Sequence, residues 1–123
     1  MARLDIHRQQ LHYVGAGHDG WLVHSNGHCQ QLPSTAMVLG LDDAPSPATV
    51  VNVARGDILL LTTDGVAEAG VASGECFGIQ RALDVVCAAH DQPVTSILRQ
   101  LLHAVHDHAQ QTLTDDATVV VVK

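Results

Sequence analysis

The stretch Ile58-Leu59-Leu60-Leu61-Thr62-Thr63-Asp64-Gly65 changes from aliphatic to polar within a few residues. Its aliphatic part, 58–61, has no polar position, so both faces of a strand built from it would be buried, and this predicts a central strand of a sheet. The polar part begins where that strand leaves the core. The stretch therefore predicts a carboxylate, Asp64, at the end of a buried strand.

The residues upstream alternate between apolar and polar positions, which is typical of half-buried strands. Residues 3–14 contain a polar break in their middle and predict one hairpin. Residues 21–23 and 29–32 flank Asn26-Gly27, a pair that readily adopts positive φ, and they predict a second hairpin. The first part of the chain is therefore predicted to consist of antiparallel strands.

The remaining periodicity predicts one more short strand over 49–53, then helices and a last strand. Apolar residues fall at helical spacing over 79–87 and again over 94–105, which predicts two amphipathic helices. Asp91, followed by Pro93, is expected to mark the start of the second helix, because an aspartate can accept hydrogen bonds from the free amides of a first turn and a proline needs no amide partner there. The largely β-branched run 117–122 predicts a buried final strand.

Length and composition fit a single α+β domain over residues 1–123. The formal charge of −7, with only 6 Lys and Arg, argues against a nucleic-acid partner. The 3 cysteines have no CxxC spacing and predict neither a disulfide framework nor a zinc site. No run predicts a membrane span or a signal peptide. We therefore expect a cytoplasmic protein without a membrane or nucleic-acid partner.

Carboxylates lie next to two of the predicted strands. Asp64, with Glu68 four residues later, follows 58–61, and Asp115 and Asp116 precede the final strand. If the two strands are neighbours, these carboxylates meet at one edge and repel each other unless a proton or a cation intervenes. A hard divalent cation, Mg²⁺ or Mn²⁺, would relieve that repulsion. The alternative is that Asp-Gly is an ordinary turn and Asp-Asp a solvated loop.

Six short motifs follow one another along the chain: Ala16-Gly17-His18, Leu39-Gly40, Gly56-Asp57, Thr63-Asp64-Gly65-Val66-Ala67-Glu68, Gly74-Glu75-Cys76-Phe77-Gly78 and Asp115-Asp116-Ala117-Thr118. Each is unspecific alone. In this order the chain resembles the C-terminal portion of the PPM-type, metal-dependent serine/threonine protein phosphatases of the stage II sporulation protein E family. An unrelated β-rich module would require all six matches to be coincidence.

The resemblance implies a partial αββα sandwich with a two-metal Mn²⁺ or Mg²⁺ site between the sheets. It makes Asp64 and Asp115 catalytic residues and metal ligands, places Gly65 beside the cations, and gives Asp116 a supporting role; Glu68 would reach an outer metal. The implied reaction is hydrolysis of phosphoserine or phosphothreonine in a protein, such as an anti-sigma-factor antagonist, by a metal-activated water.

The chain departs from the family in lacking a Gly-Gly-Asp strand and an Asp-x-x-Gly-His-Gly segment. We therefore expect Met1 to fall within a larger ancestral domain, and we expect the isolated chain to bind metal weakly and to be inactive. Losing one helical layer should leave an apolar sheet face uncovered, through which the chain could form homo-oligomers. The alternative function is a non-catalytic, phosphatase-like domain that binds a partner.

The histidines are expected to have surface or structural roles. His103, His106 and His108 would form a polar face near a helix C-terminus rather than a metal site. His24 and His28 are expected at the surface beside the Asn26-Gly27 turn. His18 is expected to serve a structural hydrogen bond.

Overall fold

The structure, a computed structural model, describes residues 1–36, 47–110 and 115–123, and only the backbone of Ser73. The motif Leu39-Gly40 lies outside the described residues. The strands are β1 (Ala2–Asp5), β2 (Gln10–Tyr13), β3 (Gly20–Val23), β4 (Cys29–Leu32), β5 (Thr49–Asn52), β6 (Ile58–Thr62) and β7 (Val119–Val122). The helices are α1 (Asp64–Ala67), α2 (Ile79–Ala88) and α3 (Val94–His108), with a 3₁₀ turn at Val71–Ser73.

The strands form two antiparallel sheets with the orders β1-β2-β5 and β4-β3-β6-β7. Both predicted hairpins are present, since β1 pairs with β2 and β3 pairs with β4. Gly27 at the second hairpin turn has φ 84°, as the Asn-Gly pair predicts. The turn between β5 and β6 carries the chain from the first sheet to the second.

One part of the core lies between the two sheets. Its buried members alternate along their strands: Leu11, Tyr13, Leu22, Leu32, Val51 and Leu59. The other part lies between the second sheet and α2 and α3, and contains the opposite face of β6, Ile58 and Leu60. Strand β6 is therefore covered on both faces, and the predicted central strand is confirmed.

The layers are sheet, sheet and helices, which confirms the α+β class and the partial αββα sandwich. Helix α2 buries Ala82, Leu83 and Val86, and α3 buries Ile97, Leu101 and Val105. These positions recur every three or four residues, as an amphipathic helix on a sheet requires. None of the helices in the described ranges is long and apolar enough to cross a membrane.

The prediction that the final strand is buried is wrong, although the strand itself is present. Strand β7 is an edge strand that pairs only with β6 within its sheet. Val119 and Val121 pack against the helical core, whereas Val120 and Val122 remain 45% and 47% exposed. An unbroken valine run indicates a strand but does not show how many of its faces are covered.

The expected apolar face on the first sheet is also wrong. Residues that alternate with the inward-facing Leu11, Tyr13 and Val51 point away from the core, and they are mainly polar: Arg3, Asp5, Gln10, His12, Val50 and Asn52. Only Val50 in this set is apolar, at 49% exposure. The outer face of the first sheet is therefore compatible with water.

Apolar exposure is instead found where the two sheets open toward their β1 and β7 edges. Leu4 and Ile6 are 52% and 78% exposed on one side of this opening, and Val122 is 47% exposed on the other. A cavity of about 430 Å³ begins there and reaches Leu22 and Leu59 between the sheets. We call this opening the β1/β7 cleft.

Helix α3 begins at Val94, and Asp91 does not cap it. Pro93 occupies the N-cap position, no side chain makes a capping hydrogen bond, and the Pro93 carbonyl accepts from the amides of Ser96 and Ile97. The carboxylate of Asp91 lies instead beside the His90 ring, with Oδ1 3.3 Å from Nδ1. The proline sets the start of the helix because it needs no amide partner.

Candidate active site

Asp64 lies directly beyond β6, as the first residue of the short helix α1. Thr63 precedes it in an extended conformation and makes no capping bond. Its hydroxyl is used elsewhere: Oγ1 donates to the Asp116 carbonyl at 2.8 Å and accepts from the Thr118 amide at 2.9 Å. This hydroxyl ties the end of β6 to the approach of β7.

Gly65 allows the two segments to come close. A Cβ built on this glycine would lie 2.6 Å from the carbonyl oxygen and 3.0 Å from the carbonyl carbon of Asp116, closer than real Cβ atoms approach a backbone. The Asp64–Gly65 backbone therefore packs directly on the Asp116–Ala117 backbone. A glycine in this position serves close approach.

Asp115 and Asp116 are exposed at the same edge. Asp115 Oδ1 accepts from the Asp116 amide at 2.7 Å. Strand β7 then pairs with β6, with Val119 opposite Thr62. The two carboxylate-bearing segments are therefore neighbours, as the paired strand ends predicted; the roles of their side chains stay predictions.

Exposed carboxylate oxygens are the donors that Mn²⁺ and Mg²⁺ prefer. Glu68 is also exposed, one turn after Asp64, and its amide donates to the Asp64 carbonyl at 2.9 Å. Within residues 1–36, 47–110 and 115–123, no three His, Cys, Asp or Glu side chains are grouped so that they could hold a metal ion. The donor type suits a hard cation, but the described side chains do not form a complete ligand set.

A cavity of about 350 Å³ adjoins this edge, and no pattern in the sequence predicted that its lining residues would come together. Its walls come from the ends of β2 and β6 and from the Ala-Gly-His turn, and they include Tyr13, His18, Asp19, Thr63 and Thr118. The Tyr13 hydroxyl donates to the His18 carbonyl at 2.8 Å. Burial, and secondarily the Asp19 carboxylate, raise the pKa of Tyr13, so the phenol stays protonated as a donor. The Ala-Gly-His motif is the sequence feature that could have indicated this side of the cavity.

Another polar cluster lies at the opposite end of β6. Asp57 is buried, its Oδ2 lies 3.0 Å from His24 Nδ1, and its carboxylate accepts from the amides of Ser25 and Ala54. His24 stacks on His28, with ring centroids 5.8 Å apart. The expectation that His24 is simply a surface residue is wrong, because its side chain is only 22% exposed.

The histidines near the end of α3 differ from one another. His103 and His106 are exposed, and His103 Nδ1 lies 3.1 Å from Asp107 Oδ2 one turn later, as a polar helix face predicts. The expectation is wrong for His108, whose ring packs edge-on against Phe77 with centroids 5.5 Å apart and whose Nε2 lies 2.8 Å from the Glu75 carbonyl. This histidine anchors the Gly-Glu-Cys-Phe-Gly segment.

Comparison with known proteins places these features in context. The model of the family described as Stage II sporulation protein E matches residues 1–123. Protein IcfG from Synechocystis is 28% identical over 122 residues, which cover 97% of this chain and 19% of that protein. The chain is thus similar along nearly its whole length to a minor part of a much longer protein.

Two solved structures show the same fold. The SiaA-PP2C domain of Pseudomonas aeruginosa superposes with a TM-score of 0.78 at 24% identity, covering 93% of this chain and 46% of that one. The phosphatase domain of the cell fate determinant SpoIIE from Bacillus subtilis, Mn presoaked, superposes with a TM-score of 0.74 at 15% identity, covering 100% and 54%. The chain therefore has a PP2C-type fold and spans about half the length of these domains.

Proposed function

The chain belongs to the stage II sporulation protein E family, and we propose that it supplies the C-terminal part of a metal-dependent protein serine/threonine phosphatase domain. The observation that carries the proposal is the close packing of the Asp64–Gly65 backbone on the Asp116 carbonyl, 2.6 Å from a Cβ placed on Gly65. This packing holds Asp64 and Asp115 at one edge of the second sheet.

Asp64 and Asp115 are the proposed catalytic residues and ligands of Mn²⁺ or Mg²⁺. Gly65 would line the cation site through its backbone, and Asp116 would support the loop. When bound, such a cation pair supplies positive charge to the phosphate oxygens and lowers the pKa of a water. The contribution of Thr63 is to fix the distance between the two segments through its paired hydrogen bonds.

The proposed substrate of the whole phosphatase is a cytoplasmic phosphoserine or phosphothreonine protein, such as an anti-sigma-factor antagonist. The cavity next to this edge supports this assignment, because it leaves space beside the carboxylates for a phosphoryl group or a peptide and is lined in part by the polar residue His18. This edge is exposed, so the surface of a protein substrate can approach it more easily than it could enter a deep pocket.

The rest of the ligand set would come from a segment with the Gly-Gly-Asp and Asp-x-x-Gly-His-Gly motifs, which this sequence does not contain. Two aspartates are too few to hold two cations. We therefore propose that this chain alone binds metal weakly and hydrolyses little phosphopeptide.

Paramagnetic NMR of the chain tests the location of the site. Mn²⁺ added in small amounts is expected to broaden the amide signals of 63–66 and 115–118 before others. Asp64→Asn and Asp115→Asn should each abolish that selective broadening. Asp84→Asn should not, because Asp84 is a carboxylate of α2 engaged with Gln80 Nε2 at 2.9 Å. Broadening spread evenly over all surface carboxylates would refute the assignment.

Hydrolysis of a phosphothreonine peptide with Mn²⁺ tests the activity. The chain and its Asp64→Asn, Asp115→Asn double variant are both expected to release no more phosphate than a protein-free blank. Clear turnover by the chain and none by the double variant would overturn the proposal that the chain alone is inactive. The same result would support Asp64 and Asp115 as active-site residues. Equal turnover by both would show contamination or chemistry elsewhere.

A non-catalytic binding domain is the second candidate, and the β1/β7 cleft favours it. The exposed side chains of Leu4, Ile6 and Val122 border an apolar cavity that a partner could fill. This candidate predicts that Mn²⁺ shows no preference for 63–66 and 115–118, so the NMR experiment separates the two functions.

A further inference from the structure

Two cysteines from different layers meet at the end of the second sheet that lies away from the carboxylates. Cys29 opens the edge strand β4, and Cys87 lies near the end of α2. Their sulfur atoms are 3.5 Å apart, although the residues are 58 positions apart in the chain. Both thiols are free and only partly buried. A small molecule can therefore reach them, and the sulfurs need to approach by about 1.5 Å to reach the disulfide bond length of about 2.05 Å.

We propose that Cys29 and Cys87 form a reversible oxidation site, at which hydrogen peroxide or a small organic hydroperoxide converts the thiol pair into an intramolecular disulfide. This inference does not rest on the proposed phosphatase function. The spacing of the cysteines in the sequence predicted no disulfide. The pair could not be found from that spacing because it is formed by the packing of α2 on the sheet.

The oxidation of the thiol pair proceeds in two steps. The Cys87 thiolate attacks one peroxide oxygen, the O–O bond breaks, and the departing hydroxide takes a proton to become water, leaving a sulfenic acid on Cys87. The Cys29 sulfur then attacks the Cys87 sulfur, the S–O bond breaks, and hydroxide leaves with the Cys29 proton as a second water. Two thiols lose two electrons in total, and one peroxide becomes two waters.

The surroundings support this order of events. Burial raises the pKa of Cys29 to about 11, with further contributions from the adjacent Cys87 thiol and the Asp84 carboxylate. Cys29 therefore carries its proton at neutral pH, which makes it the poorer nucleophile toward peroxide and leaves the first attack to Cys87. In the second step the proton of Cys29 passes to the departing hydroxide as its sulfur attacks. The position of Cys29 beside a partner thiol means that a sulfenic acid on Cys87 is resolved within the molecule.

The disulfide would tie the second sheet to the helical layer without changing the carboxylate edge. Cys29 pairs with Val23, which in turn pairs with Ile58 at the start of β6. Asp64 follows the other end of that strand. The expected effect is thus a gain in thermal stability, since a cross-link between distant residues restricts the unfolded chain.

Peroxide treatment followed by alkylation and peptide mass mapping tests the proposal. The expected product is a monomer lighter by two hydrogen atoms, with the peptides of Cys29 and Cys87 joined and Cys76 still open to alkylation or separately oxidised. Its melting temperature should exceed that of the reduced form by about 10 °C. Dithiothreitol should reverse both changes.

Each variant is compared with its own reduced form, so a change in baseline stability does not affect the outcome. Cys29→Ala and Cys87→Ala should lose the oxidation-dependent rise in melting temperature. Cys76→Ala should retain it, because Cys76 is exposed in the loop before α2. A wild-type monomer that forms no Cys29–Cys87 cross-link, or an oxidised form that melts no higher than the reduced one, would overturn the proposal.

Discussion

Asp57 joins two turns at the start of β6 from a buried position. Its carboxylate accepts from the Ala54 amide at 2.9 Å and the Ser25 amide at 3.0 Å, and contacts His24 Nδ1. Asp57→Asn keeps the shape but loses one acceptor, so we expect a loss of about 2 kcal/mol in the free energy of unfolding. Urea denaturation measures it. Asp91→Asn is the control, because that side chain is fully exposed, and a comparable loss there would contradict the argument.

The same carboxylate predicts an acid-labile contribution to stability. Burial raises the pKa of Asp57, but the Ala54 and Ser25 amides and His24 together bring it below its ordinary value of 3.8. The stabilisation is therefore present above that unfolded-state value and is lost as pH falls through the lower pKa of the folded protein. Denaturation midpoints between pH 6 and 2 should fall more steeply at the acid end for wild type than for Asp57→Asn. Parallel curves would contradict this.

Gly65 provides a test whose sign separates two effects. Helix propensity alone predicts that Gly65→Ala stabilises the protein by about 1 kcal/mol. The Asp116 carbonyl, 2.6 Å from the new Cβ, predicts instead a loss of about 2 kcal/mol, because the start of β7 must move away. Chemical denaturation decides between them. An alanine variant as stable as wild type would mean that the two segments are not in contact.

At the scale of elements, the segment between α1 and α2 is held by one buried aromatic side chain. Phe77 is 5% exposed, and its amide donates to the Ala69 carbonyl at 2.8 Å. Arg81 contacts Glu75, and His108 covers the ring. The polar contacts are exposed and contribute little, so the ring is the main anchor of this segment.

Phe77→Ala should therefore cost about 3–5 kcal/mol, and Phe77→Leu about 1 kcal/mol, because leucine refills most of the space. Thermal or urea unfolding measures both. Cys76→Ala, in the neighbouring exposed position, should change the free energy of unfolding by less than about 0.5 kcal/mol. Similar losses for Phe77→Ala and Cys76→Ala would show that the ring does not anchor the segment.

The elements that could be predicted are those whose signals are local. Strand β6 was predictable because 58–61 is apolar at every position, and the β3–β4 hairpin because Asn26-Gly27 fixes its turn. The burial of β7 was not, since coverage depends on strand order. Pro93 indicated the start of α3 correctly, whereas the expected cap by Asp91 is absent.

The same division applies to the sites. Asp64 and Asp115 could be predicted to lie near each other because each is next to an apolar strand. Those two strands, β6 and β7, do pair. The contact of His24 with Asp57 spans 33 residues, and that of Cys29 with Cys87 spans 58. No local pattern relates such residues. Their proximity follows from which elements pack together.

At the scale of the whole molecule, association should occur through the β1/β7 cleft rather than the outer face of the first sheet. Edge valines with unpaired backbone groups are a template for another chain, and lysine on an edge blocks such pairing. The double change Val120→Lys with Val122→Lys should therefore keep the light-scattering mass at the monomer value at concentrations where wild type associates.

Val50→Lys is the matched control, because Val50 is 49% exposed on that outer face. It should associate as wild type does. Suppression by Val50→Lys instead would restore the original expectation of contact through the sheet face. A wild type that stays monomeric at millimolar concentration would remove the case for self-association.

The polar outer surface of the first sheet limits what any covering layer could gain there. Arg3, Gln10, His12 and Asn52 are satisfied by water, so helices laid over them would recover little hydrophobic free energy. A cover on that side would have to be held through its covalent connections or through strand pairing at the margins. Such a covering layer could then move or detach at a small cost in free energy. A layer held in this way suits a segment whose position is regulated.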